Sequence, residues 1–178
     1  MKKILILNTG GTISMSEDQK TGKVGPTETN PIGVGGNIFS YIADLYVEDL
    51  YHLASPQITQ NEMLGIKNRI NKAVQEGYDG VVVTHGTDTL EETAYYLELT
   101  LDVNIPIVIT GAMRSSNEIG ADGLANLRSS LVVATDEESS DKGVLVVMND
   151  EVHTATYVTK THTTNVATFQ TPTFGPIG

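Results

Sequence analysis

Short runs of consecutive apolar residues, rich in Val, Ile and Leu, recur along the chain. A strand that is apolar on both faces is typical of a parallel sheet covered by helices on both sides. The pattern predicts buried strands at Lys3–Asn8, Gly80–Thr84, Ile105–Thr110 and Gly143–Met148. A further strand is predicted near Leu45–Leu53. We expect Pro106 to open its strand, a place where a missing N–H is tolerated.

Between these runs the apolar residues recur every three or four positions, as in helices that bury one side. The period predicts helices at about Gln60–Glu76, Thr89–Leu101 and Asp122–Thr135. Thr59 with Glu62 three residues later is a capping-box pattern for the first helix. The third helix is expected to bury the side chains of four apolar residues: Leu124, Leu127, Leu131 and Val132. Strand–helix–strand units imply right-handed crossovers, so we predict an α/β fold with a doubly wound, mainly parallel sheet.

Two stretches, residues 17–37 and 171–178, lie outside this pattern of strands and helices. From Glu17 to Asn37 the chain carries many Gly and Pro and few apolar residues. A segment of this kind in a compact domain is usually a lid, a hairpin excursion or disordered. The chain has 178 residues, which corresponds to roughly one domain. We expect that domain over residues 1–170 and the start of an interdomain linker over 171–178.

The amino-acid composition excludes several classes of binding partner and of chemistry. The net charge is −11, from 11 Lys and Arg against 22 Asp and Glu. Binding to nucleic acid or to an anionic membrane depends on basic residues, so neither partner is expected. The absence of Cys excludes thiolate catalysis and Cys-ligated metals. The apolar stretch after Lys3 ends at Asn8, which is too short for the core of a signal peptide, and we expect a cytoplasmic protein.

Candidate chemistry lies at the carboxyl ends of the predicted strands, where open α/β sheets bind ligands. Glycines there let a backbone approach a ligand, and hydroxyls supply nucleophiles or hydrogen bonds. The segments that follow the strands are Thr9-Gly10-Gly11-Thr12, Ser55, His85-Gly86-Thr87-Asp88 and Gly111-Ala112. The coincidence of four such ends favours a single small-ligand site.

The same residues also have structural interpretations. Thr12 could simply close a glycine turn. Asp88 precedes a predicted helix and could cap its start. Lys160 lies in a β-branched polar run, where a lysine usually protects a sheet edge. The acidic run at 136–138 is most simply a solvated helix end.

Other types of site lack their sequence patterns. Residues 33–36, Gly-Val-Gly-Gly, lack the third glycine of a dinucleotide fingerprint, and no Walker A lysine follows a glycine pair. The four His form no pair spaced by four residues, and there is no G-x-S-x-G nucleophile motif. We therefore expect no metal and no cofactor.

Two long motifs carry a family resemblance. TGGTI at 9–13 and THGTDTLEETA at 84–94 resemble the two signature motifs of the bacterial-type L-asparaginases. PIVITGAMRSS at 106–116, GVLVVMND at 143–150 and VTKTHTT at 158–164 are similar to further segments of that family. The resemblance extends from Ile4 to Gly178, which is almost the whole chain.

The resemblance implies hydrolysis of L-asparagine to L-aspartate and ammonia, without metal or cofactor, by an N-terminal domain with a flavodoxin-like sheet. It implies that Thr12 is the nucleophile and that Thr87, Asp88 and Lys160 form a second catalytic group. Ser55 matches a residue that binds the substrate's α-carboxylate. The other positions matched to the substrate pocket are Gly11, Gly86 and Ala112, the last near the amide.

These residue types suit amide cleavage, which needs a nucleophile, a proton acceptor and donors for the oxyanion. A neutral Lys160 could take the proton of Thr12 directly or through Thr87. The N–H groups from Gly11 to Thr12 and of Thr87 are candidate oxyanion donors. Asp88 could also accept a hydrogen bond from the substrate's α-ammonium group.

The chain departs from the family in two places. No Tyr occurs between Thr12 and Ser40, where the family usually has one that contacts the nucleophile, and Lys23 stands near that position. Family members are also much longer, with a smaller C-terminal domain that completes the site of a neighbouring subunit. We therefore expect the isolated chain to have little or no activity and the full-length form to be a homo-oligomer, a dimer or tetramer.

Two other functions remain open. A glutaminase subunit of an archaeal-type glutamyl-tRNA amidotransferase shares the motifs but usually carries an extra N-terminal domain, whereas the first strand here begins at Lys3. A non-catalytic module would use Thr12 and Asp88 only to hold an amino acid. The sequence does not decide between asparagine and glutamine as the preferred amide.

Overall fold

A computed structural model describes residues 1–17, 24–26 and 38–178. Lys23 and the glycine run at 33–36 lie outside the described residues. The strands in chain order are β1 (Lys3–Gly10), β2 (Met15–Glu17), β3 (Val24–Pro26), β4 (Asp44–Leu53), β5 (Gly80–Thr84), β6 (Ile107–Thr110), β7 (Val144–Met148), β8 (Glu151–Thr154), β9 (Thr159–Lys160) and β10 (Phe169–Gln170). The α-helices are α1 (Gln60–Gln75), α2 (Leu90–Thr100) and α3 (Gly123–Thr135).

Six strands form the central sheet, in the order β4-β1-β5-β6-β7-β8. The first five of these are parallel and β8 is antiparallel. Counted along the chain, the parallel strands lie in the order second, first, third, fourth, fifth, which is the flavodoxin-like arrangement. The strand order reverses between β1 and β5, so the crevice at their carboxyl ends is the expected ligand site.

Helices cover the sheet on both faces, which confirms the doubly wound prediction. On one face Leu5 and Val81 lie in one core with Ile66 of α1 and Leu97 of α2. On the other face, Ile6 and its neighbours pack against Leu127 of α3. Side chains alternate between the two faces because successive residues of a strand point in opposite directions. The core therefore consists of two apolar layers separated by the sheet.

The predicted elements are confirmed with small shifts at their ends. The third predicted strand begins at Ile107, after Pro106, whose carbonyl accepts the Val81 N–H at 3.0 Å. Thr59 caps α1 with Glu62, as its capping-box pattern indicated. Leu124 and Val132 are each 46% exposed, so the predicted inner side of α3 was wrong at these positions. Small buried residues complete that side instead: Asn126, Ser130 and Ala134.

Several short elements were not predicted. β7 turns back into β8 through Asn149 and Asp150, both at positive φ (52° and 61°), as a two-residue hairpin of the primed type requires. β9 pairs with β10, and β2 pairs with β3. The β2–β3 pairing includes Glu17 and Val24–Pro26 of the glycine-rich stretch, and the rest of that stretch lies outside the described residues.

The end of the chain lies beside β8. The Ile177 N–H donates to the Val152 carbonyl at 2.8 Å, and the Val152 N–H donates to the Gly178 carbonyl at 2.9 Å. Thr171 is buried, and its hydroxyl lies 3.0 Å from His153 Nδ1. Residues 171–178 are therefore held against the domain. No helix in the described part of the chain is long and apolar enough to cross a membrane.

Candidate active site

Side-chain hydrogen bonds tie the carboxyl ends of β1 and β5 together. Asn8 is fully buried and its Oδ1 accepts both the Gly10 N–H at 3.1 Å and the Thr84 hydroxyl at 2.9 Å. The Thr9 hydroxyl donates to the Thr84 carbonyl at 2.8 Å. These bonds fix where each strand ends, and hence the starting point of each following loop.

The two loops touch through their glycines. Gly11 has φ = 80°, and a Cβ built on it would overlap the backbone of Gly86. Gly86 is enclosed on its other side by Ser55, whose Oγ would lie 2.8 Å from a Cβ at Gly86. The backbones of three loops therefore meet in one place, after β1, β4 and β5.

Thr12 lies at this junction. It follows Gly11 directly, begins a short 3₁₀ turn that ends at Ser14, and is half-buried. Its hydroxyl makes no hydrogen bond to Thr87, Asp88 or Lys160 within the described residues. The contact between Gly11 and Gly86 places Thr12 and Thr87 next to each other in touching loops, one residue after each glycine.

Lys160 joins the site from a distant part of the chain. Its Nζ donates to Thr87 Oγ1 at 3.0 Å and to Asp88 Oδ1 at 2.8 Å, over sequence separations of 73 and 72 residues. The Lys160 side chain is 13% exposed and the Asp88 side chain 66% exposed. A hydroxyl, a carboxylate and an ammonium group thus form one hydrogen-bonded cluster at the crevice.

The structural interpretations of two residues are wrong. Lys160 does not protect a sheet edge, because its ammonium group turns inward to Thr87 and Asp88. Asp88 does not cap α2: the N-cap position is Thr89, and no side chain caps it. The Thr89 hydroxyl donates instead to the Ser55 carbonyl at 2.7 Å. The acidic run at 136–138 is solvent-exposed, as expected.

Ser55 and Ala112 lie on two further loops near the cluster, after β4 and β6. Ser55 is buried, and its Oγ accepts the Asp88 N–H at 3.2 Å. Because that bond uses an acceptor lone pair, the Ser55 hydroxyl proton remains free to donate. Ala112 is also buried and packs in the apolar core on the α3 side of the sheet. It belongs to the loop after β6, where a Cβ at Gly111 would lie 3.1 Å from Thr87 Cγ2.

His85 is a supporting residue that the sequence analysis did not identify. It is fully buried; Nδ1 lies 2.7 Å from the Gly86 carbonyl and Nε2 lies 2.9 Å from the Thr93 hydroxyl. The carbonyl can only accept, so Nδ1 carries the proton and Nε2 accepts from Thr93. Burial lowers the pKa of His85, so the ring is neutral near pH 7 and fixes the Gly86 peptide.

Glu91 is a second residue that the sequence analysis missed as part of the site. Its carboxylate accepts the Thr159 hydroxyl at 3.1 Å and the Lys160 backbone N–H. The residue was visible in the sequence only as an acidic position in the first turn of a helix. Across the part of the chain that the structure describes, no group of three His, Cys, Asp or Glu side chains is arranged to hold a metal ion.

The family follows from comparison with known proteins. The sequence model described as "Asparaginase, N-terminal" matches residues 3–178. The chain belongs to the asparaginase family. This confirms the resemblance that its motifs indicated.

Individual asparaginases agree with this assignment. "L-asparaginase 2" of Escherichia coli is 42% identical over 184 aligned residues, covering 100% of this chain and 52% of that protein. "Glutaminase-asparaginase" of Pseudomonas fluorescens is 35% identical over 183 residues, covering 100% of this chain and 50% of that protein. A crystal structure of a "Probable Cytoplasmic L-asparaginase" from Campylobacter jejuni has a TM-score of 0.93 and 39% identity, and covers 100% of this chain and 55% of that one. The chain thus spans about half the length of its asparaginase relatives.

Proposed function

We propose that the protein hydrolyses the side-chain amide of L-asparagine to give L-aspartate and ammonia. The observation that carries this proposal is the cluster in which Lys160 Nζ lies 3.0 Å from Thr87 Oγ1 and 2.8 Å from Asp88 Oδ1, beside the loop of Thr12. The relatives that are named L-asparaginase support the choice of substrate.

Thr12 is the proposed nucleophile. Its Oγ1 attacks the amide carbon, its proton leaves to a base, and the amide nitrogen departs as ammonia after taking up a proton. Water then cleaves the resulting aspartyl ester of Thr12. The oxyanion would be held by the N–H groups of Thr12 and Thr87. Gly11 is less suited to that role than its sequence position indicated, because its N–H already donates to the Leu53 carbonyl at 3.2 Å.

Lys160 and Thr87 form the proposed proton relay. Thr87 Oγ1 accepts from Lys160 Nζ, so a proton that reaches Thr87 can pass to the amine when the amine is neutral. Asp88 orients the ammonium group from its other side. The exposed carboxylate of Asp88 is also free to accept from the substrate's α-ammonium group, and the Ser55 hydroxyl can donate to the α-carboxylate.

The remaining expectations concern the domain boundaries, the oligomeric state and the location of the protein. We propose that residues 1–170 are its N-terminal catalytic domain, that 171–178 begin an interdomain linker, and that it works as a homo-oligomer, a dimer or tetramer. We also propose a cytoplasmic location. The Campylobacter protein is called cytoplasmic, whereas a Haemophilus influenzae relative at 41% identity is called periplasmic, so fractionation of the native host is the test.

Steady-state ammonia release from L-asparagine tests the reaction, with the protein as its gene encodes it. Thr12→Ala should lower kcat by roughly 10⁴-fold or more, because it removes the nucleophile. Lys160→Met should lower it by about 10²- to 10⁴-fold, which is the usual contribution of a general base. Thr156→Ala and Lys142→Met are matched controls at exposed positions and should leave kcat unchanged.

The same assay separates the other functions. Asparagine binding without turnover in the unaltered protein would favour the non-catalytic module. Turnover that requires glutamyl-tRNA and a partner protein would favour the amidotransferase subunit. L-glutamine should be assayed beside L-asparagine, because three relatives are named glutaminase-asparaginase. Full turnover by Thr12→Ala would contradict the proposed nucleophile.

A further inference from the structure

Lys160 lies on a strand, β9, that is too short to fix the position of its side chain by itself. β9 is two residues long, and within the described residues it pairs with β10 alone, Lys160 opposite Phe169 and Thr159 opposite Gln170. An isolated ladder of this length is weak in water. The Lys160 ammonium group nevertheless meets two partners at hydrogen-bonding distance on a different element. The buried side chains of Val158 and Phe169 anchor the flanks of this ladder in the core, and a further contact fixes the backbone at Lys160 itself.

Glu91 provides that contact. Its Oε2 accepts the Lys160 backbone N–H, and its Oε1 accepts the Thr159 hydroxyl at 3.1 Å. Glu91 lies in the first turn of α2, three residues after Asp88. The beginning of α2 therefore holds Lys160 twice: Glu91 binds its backbone, while Thr87 and Asp88, just before the helix, bind its ammonium group.

We propose that Glu91 is a positioning residue that fixes Lys160 Nζ against Thr87 Oγ1 by tying the β9 backbone to α2. The inference rests on the proposed function, in which Lys160 serves the reaction. Glu91 itself touches neither Thr12 nor the crevice in the contacts described above. Its effect on turnover must therefore pass through Lys160.

Glu91→Gln tests the proposal, and Glu98→Gln is its matched control. Glutamine has no charge and only one acceptor oxygen, so Glu91→Gln loses the charge-assisted bond to the Lys160 N–H and can contact Thr159 only by donating to its hydroxyl. Glu98 lies on the same helix and also binds a strand backbone, accepting the Val144 N–H at 2.6 Å, but it lies away from the site. We expect Glu91→Gln to lower kcat by roughly 10- to 100-fold with little change in KM, as for a small misplacement of a catalytic group. Glu98→Gln should leave kcat per folded molecule unchanged, whatever its effect on Tm.

A double variant shows whether Glu91 acts through Lys160. If it does, adding Glu91→Gln to Lys160→Met should cause no further loss of kcat. An independent further loss would overturn the proposal, as would an unchanged kcat in Glu91→Gln or an equal loss in Glu98→Gln.

A structural measurement keeps the test separate from the reaction. In protein with ¹³C-labelled lysine, the ε-carbon signal of Lys160, assigned by its absence in Lys160→Met, should move in Glu91→Gln and stay in place in Glu98→Gln. An unmoved signal overturns the positioning role even if the protein is an asparaginase. A moved signal in a protein without amide turnover would support the positioning role while the proposed function fails.

Discussion

At the scale of single residues, the approach of the two loops depends on a missing side chain. Gly11 has a left-handed backbone conformation, and any Cβ there would overlap the backbone of Gly86. Thr12 and Thr87 are the next residues in each loop. The spacing between the proposed nucleophile and the proposed relay is therefore set by two glycines that pack backbone to backbone.

Gly11→Ala should destabilise the fold and abolish turnover. Gly77→Ala is the control that separates backbone strain from the clash with Gly86. Gly77 has nearly the same φ (77° against 80°) but would meet nothing within 4 Å. We expect Gly77→Ala to cost only the strain of the left-handed conformation, about 1–2 kcal/mol. Gly11→Ala should cost clearly more, measured by urea unfolding. Equal losses for both variants would contradict the close contact of the loops.

The buried histidines predict how stability depends on pH. Burial lowers the pKa of both His85 and His153 in the folded state. In the unfolded chain, each histidine has its ordinary pKa of about 6.5. The unfolded state then holds more protons below this pH. Stability should be complete above about pH 6.5 and should fall as the pH decreases below it.

Urea unfolding at several pH values from about 7.5 to about 5.5 measures this dependence. His85→Gln should have a shallower decrease than the unaltered protein, because one of the two contributing groups is gone. A variant that retains the full slope would contradict the neutral, buried state of His85.

At the scale of elements, one buried amide connects three of them. Asn126 of α3 donates through Nδ2 to the Gly111 carbonyl at 3.0 Å, just after β6. Its Oδ1 accepts the Asn149 N–H at 2.9 Å in the β7–β8 turn. Asp122 accepts from the Met113 and Arg114 N–H groups at 3.0 and 2.9 Å and from Asn126 Nδ2. The loop that carries Ala112 is thus held by the start of α3.

Asn126→Ala should lower the free energy of unfolding by about 2–3 kcal/mol, because it leaves buried backbone groups without partners. Asn68→Ala, at an exposed position on α1, is the control and should change it by less than about 0.5 kcal/mol. Chemical denaturation of both variants is the measurement. A loss below about 1 kcal/mol for Asn126→Ala would contradict the role of this amide as a tie between elements.

The long elements of the fold could be predicted from sequence because period and burial agree there. β5 was predicted with its observed bounds, since all five of its residues are buried. β8, β9 and β10 were missed because four or two residues carry no readable period. Lys160 was matched to the family by its motif, but its contact with Asp88 spans 72 residues and could not come from local pattern. Glu91 and His85 act through backbone atoms, which no spacing rule reveals.

At the scale of the whole molecule, the chain corresponds to about half the length of its relatives. Its relatives are about twice its length, since it covers 52% of the Escherichia coli protein and 49% of the Bacillus subtilis one. The crevice beside Asp88 is open, with that carboxylate 66% exposed. An open crevice positions a substrate poorly, because solvent competes for every polar group in it.

The isolated 178-residue chain should therefore release ammonia from L-asparagine at least about 100-fold more slowly than the Escherichia coli relative. A coupled ammonia assay at equal site concentrations checks this expectation. Comparable rates would show that the additional residues of that relative are dispensable for the reaction.

The most direct test of the central claim is to locate the covalent intermediate. The protein as its gene encodes it is mixed with L-asparagine, quenched in acid within milliseconds, digested and mapped by mass spectrometry. The account predicts an aspartyl ester on Thr12, absent when Thr12 is replaced by Ala. An ester on a different residue, or ammonia release at the normal rate by Thr12→Ala, would contradict it.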